Sequence, residues 1–200
     1  MEKKRWIIGI LLMIVLIGVI YLLDIPIIQA IESMRIPCLD YFFSAISSST
    51  NVIIIILVLV PLLLWNQNKK EFILPLFVSA GLSFIINSIL KYIVARPRPY
   101  EGGIVSAVPM AISSAKINLF SNIFSFPSSH AIVIFSVLPI LLKEFKKMRY
   151  ILWIFACLVA FSRVYLGVHY MSDVVTGALI GYLIGNLILL IKEKTNLLSI

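Results

Sequence analysis

Along this chain run apolar segments that no water-soluble fold of its size can bury. Six stand out: Trp6–Leu23, roughly Ala45–Trp65, Phe72–Val94, Ser128–Leu142, Tyr150–Arg163 and roughly Ser172–Ile191. A helix crosses the hydrocarbon core of a bilayer with about 20 residues, and the fourth and fifth runs are short for that. Of the 200 residues, 61% are hydrophobic and 13% charged, against about 45–50% and about 25% in an ordinary soluble domain. The expected fold class is all-α: an integral membrane bundle of six transmembrane helices forming a single domain over 1–200. The first run also invites comparison with a signal peptide, because Met1–Arg5 is basic. It is longer than the usual apolar core of about 7–15 residues, and no small-x-small cleavage site follows, so a retained helix is expected.

The net charge of +8 would suit nucleic acid, but the basic residues fall in short clusters between apolar runs, and no nucleic-acid partner is expected. They report orientation instead. Lys3, Lys4 and Arg5 precede the first run, and Lys69 and Lys70 lie between the second and third. Lys143, Lys146, Lys147 and Arg149 separate the fourth and fifth; Lys192 and Lys194 follow the sixth. In a six-span layout all eleven lie on one side, the cytoplasm, which places both termini inside. The other cations are Arg35, Lys91, Arg96, Arg98, Lys116 and Arg163. Cys157 lies midway along a run and Cys38 in a loop, so a disulfide between different depths is not expected, and neither spacing reads as a metal site.

Both histidines, His130 and His169, fall near outer helix ends, and ionisable groups at membrane depth are functional candidates by default. Three segments carry them and their neighbours. Lys91–Pro99 reads KYIVARPRP; Pro97 and Pro99 disfavour helix in the residues before them, so the third helix ends near Ala95 and Arg98 can fold back toward Lys91. The alternative is that both cations snorkel to lipid head groups. Phe126–His130 reads FPSSH, a proline-led helix start whose N–H groups at Ser128, Ser129 and His130 would hold an anion; the alternative is an ordinary serine cap. Ser162–Asp173 reads SRVYLGVHYMSD. Gly167 breaks the chain there, and a helix starting near His169 would set His169 and Asp173 on one face. Asp173 would then fix the imidazole tautomer and leave the other nitrogen free to attack, unless the pair is only structural. Three cations, a helix N-terminus, two histidines and an aspartate on one face match what phosphoryl transfer requires.

A depth count supports the clustering in part. His130 and Arg163 both reach roughly 18–20 Å from the cytoplasmic end, whereas Lys91 and Asp173 lie about 9 Å farther along. The gap closes if the fourth and fifth helices turn within the membrane or if their inner ends extend into Lys143–Arg149.

The pattern Lys91-x6-Arg98-Pro99, Pro127-Ser128-Ser129-His130 and Ser162-Arg163-x5-His169-x3-Asp173 resembles the three-part signature of the type 2 phosphatidic acid phosphatase (PAP2) superfamily. The resemblance implies that His169 is a nucleophile forming a phosphohistidine and that Asp173 orients it. It implies that His130 protonates the leaving group and later activates water. Lys91, Arg98, Arg163, Ser128 and neighbouring N–H groups, that of Ser129 included, would bind phosphate, with no metal and no cofactor. Ser129 departs from the glycine usual in the family; glycine lets backbone approach phosphate closely, whereas the serine hydroxyl can donate a hydrogen bond. The expected partners are the bilayer and a membrane lipid phosphate on the outer face. Undecaprenyl pyrophosphate is favoured over phosphatidylglycerophosphate and phosphatidic acid, because its phosphates are presented outside. A phosphotransferase on the same scaffold and a non-enzymatic anion-binding membrane protein are the competing classes. The apolar Gly102–Phe126 part of the outer loop Ala95–Pro127 holds one cation, Lys116, and is expected to lie on the membrane surface as a lid.

Overall fold

The computed structural model describes residues 2–48, 60–66, 70–109 and 124–195. Among them there are only helices: α1 (Glu2–Leu22), α2 (Asp24–Ser33), α3 (Pro37–Ser47), α4 (Val60–Asn66), α5 (Ile73–Val94), α6 (Ser129–Glu144), α7 (Arg149–Tyr165) and α8 (Met171–Thr195). Short 3-10 turns at Lys70–Phe72 and Lys146–Met148 lead into α5 and α7. Among the described residues, three stretches are long and apolar enough to cross a membrane, Lys70–Val94, Lys146–Tyr165 and Met171–Thr195, and α1 with α2 makes a fourth if the pair, bent by 54°, is one span. Pro26 sits in the first turn of α2, where it removes an N–H that would have continued α1.

The second apolar run is interrupted. Its first residues, Ala45–Ser47, close α3, its end is α4, and 49–59 lie outside the described residues. Cys38, expected in a loop, lies within α3, which Pro37 starts and Asp40 supports in its first turn. Both cysteines are free and exposed.

The exposed surface of the long helices is apolar and their buried face holds the polar groups, the reverse of a water-soluble bundle. Along α5, Ser79, Ser83, Asn87 and Lys91 recur every four residues and are all buried, while Ile85, Ile89, Tyr92 and Ile93 face outward. Ser79 Oγ donates to the Ser136 carbonyl on α6 at 2.7 Å. Helices α6 and α8 form the centre of the bundle through a glycine file. A Cβ at Gly181 would sit 2.1 Å from the Ile132 carbonyl oxygen, and one at Gly185 2.2 Å from that of Ser136. Only glycine permits this approach, the way membrane helices gain packing without a hydrophobic drive between them.

The ends of these helices sort by charge. Lys143 at the end of α6 pairs with Glu193 on α8, and Lys192 on α8 reaches Glu71 before α5 at 2.9 Å. The last turn of α5, the start of α6, the end of α7 and the start of α8 gather at the opposite end. Helix α6 runs on to Glu144 and the α7 span begins at Lys146. At 1.5 Å per residue this extension carries Arg163 to about 25 Å and His130 to about 21 Å from those helix ends, so extension alone does not bring His130 level with Lys91 and Asp173.

A clamp fastens the end of α2 to the end of α7 and to the loop after α5. Arg35 donates to the carbonyls of Tyr165 (2.7 Å) and Ser106 (2.5 Å), and Glu32 accepts from the Ser106 N–H and hydroxyl. Gly167 has φ +75°, and a Cβ there would lie 2.7 Å from the Arg35 guanidinium. Val105 and Val108 are buried, so the first part of the segment expected to form a lid is packed into the fold. Its remainder, 110–123 with Lys116, lies outside the described residues.

Candidate active site

Lys91, Arg98 and Arg163 do not snorkel: their relative exposures are 1%, 7% and 6%. Lys91 closes the buried stripe of α5, and its ammonium donates to the Phe124 carbonyl at 2.6 Å. Arg163 lies in the last turn of α7 and donates to the carbonyl (3.3 Å) and hydroxyl of Ser47. Lys91 and Arg163 thus have only neutral hydrogen-bond partners among the described residues. Lys91 feels the charges of Arg98, Asp173 and Arg163, so the three cations share one buried space. Buried like charges gathered in this way are unfavourable unless an anion joins them.

The start of α6 faces the same space. Ser128 is its N-cap but makes no side-chain cap, and its Oγ is buried without a partner among the described residues. An ordinary serine cap does not look like this. The Ser128 N–H, expected to point at an anion, instead donates to the Asp173 carbonyl at 3.1 Å. The N–H groups of the first helical turn that follows lack intrahelical acceptors by geometry and remain the anion-facing donors. Ser129 Oγ is taken by Asn87 Nδ2 at 3.0 Å. His130 is one residue further, partly buried, and feels the charges of Arg163, His169 and Arg98.

His169 is buried, at 2% exposure. It precedes α8, which begins at Met171, so the shared helical face expected for His169 and Asp173 does not form. Asp173 Oδ2 lies 3.8 Å from His169 Nδ1, beyond a hydrogen bond. Ser125 sits beside both groups: its hydroxyl donates to Asp173 Oδ2 and stands 3.5 Å from His169 Nδ1. Asp173 Oδ2 also accepts from the Tyr170 N–H at 2.9 Å, and Oδ1 accepts from Arg96 at 2.7 Å. The carboxylate is therefore fixed on both oxygens, beside the Nδ1 edge of the ring.

The structure thus brings together Lys91, Arg98, Ser128, Ser129, His130, Arg163, His169 and Asp173, all expected from sequence. Sequence reasoning missed Ser125, Ser47 and Asn87, neutral residues with no signal of their own. It also missed Asp24 and gave Arg96 no role. Asp24 did carry a signal, a lone carboxylate between two apolar stretches.

Comparison with known proteins agrees with this arrangement. The PAP2 superfamily model matches residues 72–197. The chain is 32% identical over 184 residues to lipid phosphate phosphatase delta of Arabidopsis thaliana, covering 85% of this chain and 42% of that protein. It is 31% identical over 121 residues to an undecaprenyl-diphosphatase of Sulfolobus acidocaldarius, covering 60% and 55%. It therefore spans about half the length of these curated relatives. Its fold superposes on the crystal structure of a transmembrane PAP2-type phosphatidylglycerolphosphate phosphatase from Bacillus subtilis with TM-score 0.69 and 25% identity, over 93% of this chain and 94% of the other. With the three motifs gathered at one end of a helical membrane bundle and the family model matching well over half its length, the chain belongs to the PAP2 superfamily.

Proposed function

We propose that this chain is a metal-independent lipid phosphatase acting through a phosphohistidine on His169. The supporting observation is the convergence of three buried cations, two histidines and a helix start whose serine hydroxyl has no partner among the described residues. In this mechanism His169 Nε2 attacks phosphorus in line, forming a P–N bond as the bond to the leaving oxygen breaks. His130 gives that oxygen its proton. Lys91, Arg98, Arg163, Ser128 and the first-turn N–H groups at Ser129 and beyond hold the equatorial oxygens and take up the spreading charge. Asp173, acting through Ser125, holds the Nδ1 side of His169. His130 then takes a proton from water, whose oxygen attacks phosphorus, breaks the P–N bond and releases inorganic phosphate.

The basic helix ends lie away from the site, so the positive-inside rule puts the site on the extracytoplasmic face. Six spans, with the second built from the 45–65 run, leave both termini of this single domain in the cytoplasm. Undecaprenyl pyrophosphate is the preferred substrate, since its phosphates are presented outside and a similar protein is named for that reaction. Phosphatidylglycerophosphate comes second, on the likeness to the Bacillus subtilis enzyme.

The test is phosphate release by the purified protein in detergent with EDTA present, offering both lipids and phosphatidic acid, with His169→Ala as the control. Release that survives the chelator and disappears in the variant is the expected result, and the relative rates name the lipid. A folded protein that releases phosphate from none of them refutes hydrolysis and leaves phosphotransfer or anion binding.

A further inference from the structure

Behind the histidine lies a charged layer that the catalytic scheme above does not use. Arg96 follows Ala95, whose left-handed conformation (φ 48°) ends α5 and turns the chain across the bundle. Its guanidinium bridges two buried carboxylates, reaching Asp173 Oδ1 at 2.7 Å and Asp24 Oδ2 at 2.9 Å. The same nitrogen that meets Asp173 also donates to Ser172 Oγ at 2.8 Å. Asp24 in turn accepts from the Ser172 N–H at 2.9 Å and from its hydroxyl. The guanidinium lies between two aromatic rings, 3.8 Å from the centre of Tyr170 and 4.6 Å from that of Tyr21. Its main chain takes part too, because the Arg96 carbonyl accepts from the Ser125 N–H at 2.7 Å. One residue therefore fixes both groups beside His169 Nδ1: Ser125 through its backbone and Asp173 through its side chain.

We propose that Arg96 and Asp24 are positioning residues for the nucleophile: Arg96 locks Asp173 and Ser125 onto the Nδ1 side of His169, and Asp24 keeps Asp173 from being neutralised. The inference rests on the phosphohistidine reading. Its charge logic is simple. A lone arginine against Asp173 would form a neutral pair and offer little to the histidine. A second carboxylate on the same guanidinium leaves the trio with one net negative charge, next to the ring that must become positive as it is phosphorylated. Burial acts to lower the Arg96 pKa, but Asp173 and Asp24 outweigh it and raise it above the ordinary value, so this cation is permanent. A planar fork is needed, since two carboxylates must be met at fixed angles.

The double-mutant cycle of Arg96→Gln and Asp24→Asn has a signed outcome. Without Arg96, Asp24 and Asp173 are buried like charges with no cation between them, so they repel and Asp173 is pushed from its place beside His169 Nδ1. Arg96→Gln is expected to lower kcat about 100-fold with KM within about threefold, and Asp24→Asn about 10-fold. The double variant should recover at least about 5-fold over Arg96→Gln, a coupling that independent structural damage does not produce. Arg96→Lys keeps the charge without the fork and serves if Arg96→Gln fails to fold; it should lose about 10-fold in kcat. A rise in KM at unchanged kcat, or a double variant no better than Arg96→Gln, overturns the proposal.

A second readout needs no turnover. With only two histidines in the chain, nitrogen-15 NMR of histidine-labelled protein resolves the tautomer of each. His169 is expected to carry its proton on Nδ1 in the native protein and to show mixed tautomers in Arg96→Gln or Arg96→Lys. An unchanged Nδ1–H signal in these variants overturns the proposal even if the native protein is an active phosphatase. The expected change in an inactive native protein would uphold the positioning role and refute the phosphatase reading alone.

Discussion

Ser129 stands where the family usually has glycine, and the structure gives its hydroxyl a specific partner, Asn87 on α5. The backbone N–H that phosphate would use is unaffected by that bond. Ser129→Gly should therefore keep KM within about threefold while losing about 0.5–1.5 kcal/mol of stability with the hydrogen bond. Ser128→Ala should do the opposite, raising KM several-fold at little cost in stability, because its hydroxyl has no partner to lose among the described residues. Phosphate-release kinetics and thermal unfolding of the two variants in detergent separate these outcomes. Ala95 offers a third test. A left-handed alanine costs about 1–2 kcal/mol, part of which glycine recovers after its greater unfolded-state entropy is counted. Ala95→Gly should raise stability by about 0.5–1 kcal/mol, and a lower unfolding temperature would show that this turn is not strained.

At the scale of elements, the contact between α6 and α8 decides whether the two halves of the site meet. Helix α6 presents Ser128, Ser129 and His130, and α8 presents Asp173, with the Ser128 N–H to Asp173 carbonyl bond linking their starts. The glycine file sets their separation. Gly181→Val has no room, since even its Cβ would overlap a carbonyl oxygen of α6. Forcing the helices apart should cost at least about 1–3 kcal/mol and should reduce kcat as well, because His130 moves away from His169. A Cβ at Gly81, on α5, would meet nothing within 4 Å, so Gly81→Ala should leave activity as it is and gain slightly from helix propensity. Paired unfolding and activity measurements on the two variants check both statements.

For the whole molecule the open question is which way it sits in the bilayer, and the native cysteines answer it. Cys38 is exposed near the start of α3, where the neighbouring Ile36 N–H meets the Tyr165 hydroxyl at the site end of α7. Cys157 is exposed in the middle of α7, within a stretch long and apolar enough to cross a membrane. A membrane-impermeant maleimide applied to intact cells should label Cys38 and spare Cys157; protection of Cys38 until lysis would reverse the orientation. Much of this protein was legible in its sequence, because charge inside an apolar run is costly and therefore conspicuous. Lys91, Arg98, His130, Arg163, His169 and Asp173 stood out on that ground, and the breaks at Ala95 and Gly167 followed from the prolines and the glycine beside them. The helical membrane class and the charge asymmetry were determined in the same way, by local composition alone. What joins the site is not local. Asp24 meets Ser172 across 148 residues, Ser125 reaches His169 and Asp173 from a loop, and the closeness of α6 to α8 depends on which face Gly181 and Gly185 present. Those facts follow from how helices pack against one another, which local composition does not encode.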